Sequence, residues 1–392
     1  MGCGNVERAP APELRGNALV LRSRELSQDL SPDAQAELLI HLRRASAFDY
    51  DRVLAALDLD EVLDELTDAG WDEGPSGELL ELLSVTRVVD AEPPTRARLV
   101  HGFMRGATFE REEQALVSIF RETPDNQLTA LKLAVDAGYP RDLVSLVHDD
   151  LDDEALRAEL IARCQAATGP GRIVLSDVDD TLFPSLNDPR YPDDRLYPGV
   201  RALLEALASG QPAVVALLTA RPGPLGAYTV RSLAEQGVPV SLALTGTLAG
   251  IRSHGAMAAN KVEAFLRYKA LYPNLRAVFC GDTGQGDPEV ALALLDQGAL
   301  DLALLHAVGG LEPGEREALE ARGVIVFETY LGAALALERA GWLEPGELLS
   351  IARFAVAELK PIVFEDDAPI AAHWSRDVAA VEEQLGVELV ER

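Results

Sequence analysis

The first part of the chain has apolar residues at helical spacing. After Ser31 and Pro32, Leu38 and Leu42 fall on one face of a predicted helix. A capping hydroxyl followed directly by proline is typical of the first turn of a helix. Similar patterns continue along this part of the chain, so residues 1–168 are predicted to form an all-α N-terminal domain.

A different pattern begins after a Gly- and Pro-rich stretch near residue 170, where short apolar runs alternate with helical segments. Strands that alternate with helices predict an α/β domain with a mostly parallel sheet flanked by helices, here over residues 169–345. Residues 346–392 are predicted to be a helical C-terminal extension. The predicted strands are 172–176, 213–218, 240–244, 277–280, 302–308 and 324–327, and the best-defined helices between them are 200–209, 225–236 and 261–272.

The formal net charge of this 392-residue chain is −29, although its content of hydrophobic (48%) and charged (25%) residues is ordinary. A strongly negative field repels phosphate backbones and anionic lipid surfaces, so we expect no nucleic-acid partner. No uninterrupted apolar stretch is long enough to span a bilayer, so we expect no transmembrane segment.

The three cysteines, Cys3, Cys164 and Cys280, are far apart in the sequence. This spacing argues against a disulfide framework and against a zinc site, and it fits a reducing compartment. The N-terminal residues also lack an apolar signal region. A cytoplasmic location is therefore expected.

Three carboxylates follow the first predicted strand, at Asp177, Asp179 and Asp180, with Thr181 directly after them. Carboxylates this close repel one another unless a cation or a shifted pKa relieves them. Oxygen ligands of this kind suit hard divalent ions, and Mg²⁺ commonly takes one or two carboxylates together with phosphate oxygens. A turn or a helix cap with acidic residues is the alternative interpretation.

Thr219, Ala220 and Arg221 follow the second predicted strand. A hydroxyl and free backbone N–H groups at a strand-to-helix junction suit a phosphoryl oxygen, although Thr here is also a common helix cap. Lys261 opens the predicted helix before the fourth strand. Its compact ammonium could neutralise carboxylates and hold a phosphate, or it could be an ordinary helix residue.

The fourth predicted strand ends in the sequence GDTGQGD, which begins with Gly281 and Asp282 and ends with Asp287. Glycines permit tight backbone conformations. Folding requirements alone give little reason for a buried strand to be followed directly by this sequence, which favours a functional role. Ligands of parallel sheets bind beyond the carboxyl ends of the strands. We therefore predict that these separate loops converge around one divalent ion at one edge of the sheet.

The order of these residues resembles the four-motif signature of the haloacid dehalogenase (HAD) superfamily of phosphatases. The segments SDVDDT, LLTARP, NKVEAFLRYKALYP and VFCGDTGQGDPEV more closely resemble the catalytic domain of bacterial and fungal phosphatidate phosphatases of the actin-patch type. The resemblance covers roughly residues 140–340. TARP departs from the S-x-S-P of the fungal lipid enzymes, so we expect headgroup recognition to differ from theirs. The residues at the signature positions are Asp177, Asp179, Thr181, Thr219, Lys261, Asp282 and Asp287.

The resemblance implies a HAD-like Rossmannoid fold and a phosphatase mechanism. Asp177 would be the nucleophile and form an aspartyl-phosphate, while Asp179 would be the acid/base. Mg²⁺ would be held by Asp177, the backbone carbonyl of Asp179, and Asp282. Asp287 would orient Lys261. Phosphoryl oxygens and the rest of the substrate would be bound by Lys261, Thr219, Thr181, Ala220 and Arg221, with Gly281 as a supporting residue.

The sequence leaves the substrate and the role of the N-terminal half open. Residues 183–198 resemble a short flap rather than a large cap domain, so we expect an open site. An open site fits a bulky phosphorylated substrate such as a lipid. A phosphatase of a soluble metabolite or phosphoprotein is the alternative among enzymes. The chain could also be a non-enzymatic interaction protein whose helical N-terminal half binds a protein partner, and a receiver-like fold is conceivable.

Overall fold

The computed structural model describes the chain in nine stretches, which divide between two compact units. The first unit comprises Met1–Val135 and Ser145–Ala166, and the second comprises Asp136–Val144 and Ala167–Arg392. The described residues are 14–72, 74–185, 187–192, 195–221, 223–245, 254–284, 286–309, 311–364 and 369–389.

The described part of the first unit is built from helices and short helical turns. Ser31 accepts a hydrogen bond from the Ala34 N–H at 3.4 Å, with Pro32 in the first turn, so the predicted cap is confirmed. Leu38 and Leu42 are buried on one face of this helix, also as predicted. The helices up to Ala166 are α1 (Gly16–Ser27), α2 (Pro32–Arg44), α3 (Ala47–Ala56), α4 (Leu59–Ala69), α5 (Gly74–Glu81), α6 (Pro93–Phe103), α7 (Glu110–Glu122), α8 (Asp125–Asp136), α9 (Leu143–Ser145) and α10 (Glu154–Gln165).

The second unit contains a six-stranded, all-parallel sheet with the strand order β3-β2-β1-β4-β5-β6. This is the order of a Rossmann-like α/β fold, so the predicted α/β class with a parallel sheet is confirmed. The strands are almost entirely buried, which is why they appear in the sequence as continuous apolar runs. They are β1 (Arg172–Ser176), β2 (Ala213–Thr219), β3 (Leu242–Thr245), β4 (Arg276–Asp282), β5 (Leu302–His306) and β6 (Val324–Phe327).

Eight helices in the described part of the second unit accompany the sheet. The prediction that Lys261 opens a helix was wrong, because this helix begins at His254 and places Lys261 two turns inside. The preceding sequence is rich in alanine, the strongest helix former, so the helix extends beyond its amphipathic part. The helices are α11 (Val200–Leu207), α12 (Gly223–Glu235), α13 (His254–Leu271), α14 (Asp287–Asp296), α15 (Pro313–Glu320), α16 (Tyr330–Arg339), α17 (Pro345–Leu359) and α18 (Pro369–Leu385).

The last two helices share the hydrophobic core of the sheet. Ile351 of α17 and Trp374 of α18 are buried in the same cluster as Val174 of β1. The indole Nε1 of Trp374 also donates to the hydroxyl of Tyr191 at 2.8 Å. Helices α17 and α18 are therefore part of the packed second unit.

None of the helices in the described ranges is both long and apolar enough to cross a lipid bilayer. Cys164 and Cys280 are buried thiols, and Cys3 lies outside the described residues. Burial raises the pKa of the Cys280 thiol to about 12, so this cysteine behaves as a small apolar residue.

Candidate functional site

The candidate site lies where β1 and β4 end side by side at the centre of the sheet. Ser176 of β1 pairs with Leu217 of β2 on one side and with Cys280 of β4 on the other. The chain continues from β1 towards one edge of the sheet and from β4 towards the other, which leaves a crevice at this position. Asp177 directly follows β1, and its N–H donates to the Cys280 carbonyl at 2.8 Å.

A buried ammonium joins two loops of the site. Lys261 Nζ lies 2.7 Å from Oδ1 of Asp177 and 2.7 Å from Oδ1 of Asp287. Lys261 is only 6% exposed, and both carboxylates are buried. The predicted contact between Asp287 and Lys261 is therefore present, and Lys261 also contacts the predicted nucleophile.

Asp282, the last residue of β4, has one carboxylate oxygen without a partner. Its Oδ1 accepts the N–H of Gly284 at 2.5 Å, whereas its buried Oδ2 has no hydrogen-bond partner among the described residues. Asp177, Asp282 and Asp287 offer oxygen atoms that all lie within 4.8 Å of one another. The cluster therefore brings together three buried carboxylates and one ammonium.

Burial sets the protonation of this cluster. It raises the pKa of Asp177 to about 7, partly opposed by Lys261, and raises the pKa of Asp282 to about 8, with a further contribution from Asp287. Burial alone would lower the pKa of Lys261, but Asp177 and Asp287 raise it above its usual value. Lys261 is therefore a fixed cation, and its charge does not fully offset the effect of burial on Asp177 and Asp282.

The residues present fit a hard divalent cation. All the side-chain atoms on offer are carboxylate oxygens, the donors that Mg²⁺ and Ca²⁺ prefer. The unpartnered Oδ2 of Asp282 is a buried acceptor that a cation would satisfy. This donor set favours a hard ion over zinc, but it does not select Mg²⁺ among hard ions.

Close packing around Gly281 holds the Asp287 side chain in place. A Cβ at this position would lie 2.5 Å from Asp287 Oδ2 and 2.8 Å from Cζ of Phe279. Asp287 Oδ2 also accepts the N–H of Asp282 at 3.3 Å. Glycine is therefore required by close approach, which gives the predicted supporting role of Gly281 a physical basis.

Asp179, the predicted acid/base, is paired with Arg221. Nη2 of Arg221 lies 2.7 Å from Oδ1 and 2.9 Å from Oδ2 of Asp179, and Nη1 donates to the Thr229 hydroxyl at 3.0 Å. Both partners of the ion pair are about a third exposed. Arg221 was predicted to bind substrate, whereas the structure has its guanidinium on Asp179.

The two predicted hydroxyl ligands lie in buried positions. Thr219 ends β2, and its Oγ1 accepts the N–H of Arg221 at 3.2 Å, while the partly exposed Ala220 lies between them. The Oγ1 of Thr181 is buried without a hydrogen-bond partner. The carbonyl of Thr181 is held in place by the hydroxyl of Tyr330.

Asp180 has a structural role that the sequence reasoning did not assign. Its backbone is in the left-handed region, with φ of 56°. Its buried carboxylate accepts the N–H groups of Ser185 at 2.9 Å and Asn187 at 2.8 Å. Asp tolerates this conformation better than most residues. Asp180 thereby folds the chain after β1 back on itself, and its position next to the D-x-D pattern was the only available signal.

A second buried ion pair, also missed, holds the segment predicted to be a flap. Asp188 accepts from Nε of Arg190 at 2.6 Å and from the hydroxyl of Tyr197 at 2.9 Å. Burial alone would raise the pKa of Asp188, but Arg190 lowers it below its usual value. Arg190 also donates to the Ala307 carbonyl just after β5, at 2.8 Å. Residues 186 and 193–194 of this segment lie outside the described residues.

The chain matches no protein-family model, no curated protein and no solved structure. The resemblance to HAD phosphatases therefore stays a prediction. A function is therefore inferred mainly from the geometry of the cluster around Lys261.

Proposed function

We propose that this chain is a Mg²⁺-dependent phosphomonoester hydrolase of the HAD type that works through an aspartyl-phosphate. The observation that carries the proposal is the contact of one buried ammonium, Lys261, with Asp177 and Asp287 beside the unpartnered oxygen of Asp282. An ammonium and a cation-binding cluster beside a carboxylate nucleophile suit a reaction on a phosphate anion.

Asp177 and Asp282 would hold the ion through their side chains, and Asp179 would hold it through its backbone carbonyl. When bound, Mg²⁺ would offset the repulsion between a carboxylate nucleophile and a phosphate dianion. Asp287 is already engaged by Lys261, so in this proposal it orients the ammonium.

The reaction has two halves. In the first, a carboxylate oxygen of Asp177 forms a bond to phosphorus while the bond from phosphorus to the leaving oxygen breaks, and Asp179 gives that oxygen a proton. In the second, Asp179 takes a proton from water, the water oxygen bonds to phosphorus, and the bond from phosphorus to Asp177 breaks. Lys261 and Thr219 would bind the remaining phosphoryl oxygens.

The ion pair of Asp179 with Arg221 fits the acid/base role as a positioning contact. Nη1 of Arg221 is held by the Thr229 hydroxyl while Nη2 contacts both oxygens of Asp179, an arrangement that the single nitrogen of an ammonium could not form. In this proposal Asp179 exchanges one of its two Arg221 contacts for the leaving oxygen of the substrate.

The resemblance names phosphatidate as a candidate substrate, and a soluble phosphorylated metabolite or a phosphoprotein is the alternative. The net charge of −29 disfavours approach to anionic vesicles. Within the same proposal, the location is cytoplasmic, and the helical N-terminal unit binds a protein partner.

Phosphate release from a panel of phosphomonoesters, with Mg²⁺ and with EDTA, tests the proposal. We expect release that requires Mg²⁺ and is lost in Asp177→Asn, since in this proposal Asp282 holds the ion and Asp287 is held by Lys261. Asp296→Asn is a matched control because Asp296 is 62% exposed and pairs with Arg322 on the surface. Activity that persists in EDTA, or in Asp177→Asn, would overturn the mechanism.

A further inference from the structure

A cavity of about 240 Å³ is lined by Arg221, the partner of Asp179. Phe183, Leu196 and Leu233 give it apolar walls, and Tyr228, which is 70% exposed, also lines it. Phe183 and Leu196 come from the segment after β1, whereas Tyr228 and Leu233 belong to α12. The cavity is therefore formed by two elements that both adjoin the candidate site.

Two residues that line the cavity also contact Asp179. Arg221 donates to both carboxylate oxygens of Asp179, and Phe183 is joined to Asp179 by a backbone β-bridge. The cavity therefore adjoins the two residues that contact Asp179.

We propose that this cavity binds the leaving group of the substrate, and that this group is a compact apolar one attached to the oxygen that Asp179 protonates. The inference rests on the proposed phosphomonoesterase function and specifies its substrate class. The leaving oxygen has to lie at the acid/base, so the carbon skeleton behind it lies against Arg221 and Phe183.

The size of the cavity limits the leaving group. A volume of 240 Å³ corresponds to about eight atoms of the size of water, at about 30 Å³ each. A ring, or a chain of roughly six to eight carbons, fits this space, whereas the two acyl chains of a diacylglycerol do not. The cavity thus favours small amphipathic phosphate esters over phosphatidate.

Most polar atoms around the cavity form hydrogen bonds within the protein or lie at the partly exposed side of the cavity. The Thr229 hydroxyl accepts from Arg221 and donates to the Leu225 carbonyl at 2.8 Å. Ser232 lies on α12 at the partly exposed side of the cavity. Four of the eight lining residues are polar (Arg221, Thr229, Ser232 and Gln236), and the other four offer contact area for carbon atoms, so affinity should grow with the length of an apolar chain.

The test is a series of primary alkyl phosphates, namely ethyl, butyl, hexyl, octyl and dodecyl, with phosphatidate vesicles as a separate sample. The leaving alcohols have nearly the same acidity, so differences report binding of the chain. We expect kcat/KM to rise on the order of threefold per methylene up to hexyl or octyl phosphate and then to level off. Phosphatidate vesicles should be poorer substrates than hexyl phosphate.

Ser232→Phe should fill the cavity from the side of α12. We expect the ratio of kcat/KM for hexyl phosphate to that for ethyl phosphate to fall at least tenfold. Ala234→Phe is the matched control, because Ala234 is exposed on the same helix and does not line the cavity. This control should keep the wild-type ratio.

Binding of non-hydrolysable phosphonates, measured by calorimetry with Mg²⁺ present, gives a readout independent of turnover. Hexylphosphonate should bind at least tenfold more tightly than ethylphosphonate, and Ser232→Phe should remove the difference. Phosphate release with no dependence on chain length, or highest activity on phosphatidate vesicles, would overturn the cavity assignment alone. Absence of phosphate release from every ester would overturn the proposed function and, with it, this inference.

Discussion

Lys261 Nζ lies 2.7 Å from Oδ1 of Asp177, although the two residues are 84 positions apart in the chain. The contact joins the middle of α13 to the end of β1, and both side chains are buried. A buried carboxylate with no cation nearby would be protonated at neutral pH. The position of Lys261 along α13 therefore favours the ionised form of Asp177, which the proposed mechanism requires of its nucleophile.

Lys261→Met should destabilise the metal-free protein by about 3–5 kcal/mol, because it leaves buried carboxylates without their cation. The measurement is urea denaturation in EDTA. Lys269→Met is the control, since Lys269 lies on the same helix and donates only to the Leu275 carbonyl. Equal losses in the two variants would contradict the role assigned to Lys261.

The metal-free protein should lose stability as the pH rises from about 5 to 8. Asp177 and Asp282 have pKa values of about 7 and 8 when folded, above the ordinary 3.8, so the folded state binds their protons more tightly. Their contribution is complete below about pH 4 and disappears as the pH passes the folded values, by up to about 1.4 kcal/mol per pH unit for each carboxyl group.

The measurement is the free energy of unfolding in EDTA at pH 5 and pH 8, for wild type and Asp282→Asn. Wild type should lose more stability between the two values than the variant. Mg²⁺ binds ionised carboxylates, so it should stabilise wild type more at pH 8 than at pH 5 and have little effect on Asp282→Asn. A Mg²⁺ effect that is equal in the two proteins would argue against a cation at Asp282.

Gly281→Ala should reduce both stability and phosphatase activity. Its Cβ would come within 2.5 Å of Asp287 Oδ2, so the Asp287 side chain must move and its contact with Lys261 must weaken. Overpacking of this kind costs about 1–3 kcal/mol. The control is Gly346→Ala in α17, where a Cβ meets no atom within 4 Å and should be neutral or stabilising by about 0.5–1 kcal/mol.

Arg221→Lys should lower kcat with little effect on stability. Lysine keeps the charge, but its single nitrogen cannot contact Asp179 and the Thr229 hydroxyl together as Nη2 and Nη1 of Arg221 do, so the carboxylate loses its anchored partner. The ion pair is partly exposed, and its contribution to stability should be about 1 kcal/mol or less. Steady-state kinetics and thermal denaturation, with the exposed Arg231→Lys on α12 as control, separate the two effects. A kcat equal to that of the control would rule out the positioning role.

Much of the fold could be predicted because buried parallel strands are continuous apolar runs in the sequence. Strands β1 and β6 have the predicted bounds, and the others differ by a few residues at their ends. The same rule placed Asp177 and Asp282 at the carboxyl ends of two strands on one edge of the sheet, and the structure shows that these strands are neighbours. The start of α13 was misplaced because the alanine-containing sequence before Lys261 carries no amphipathic signal.

Apart from the contact of Asp287 with Lys261, which the resemblance implied, the contacts of individual side chains could not be predicted. The pairing of Arg221 with Asp179, and of Arg190 with Asp188 and the Ala307 carbonyl, depends on rotamers and loop paths that periodicity does not encode. Asp180 carried a weak signal, since aspartate is common in left-handed turns, but its partners follow only from the fold. The types of the residues therefore indicated the candidate site, and the structure was needed to show which charged side chains contact each other.

The participation of α17 and α18 in the sheet's core has a practical consequence for truncation. Glu358 of α17 accepts the N–H of Gly199 at 2.8 Å, just before α11, and Trp374 of α18 holds Tyr191. A fragment that stops after α16 would lack Ile351 and would expose the apolar surface beneath it to water. A minimal version of the sheet-containing unit that folds and can be assayed by itself must therefore extend through α18.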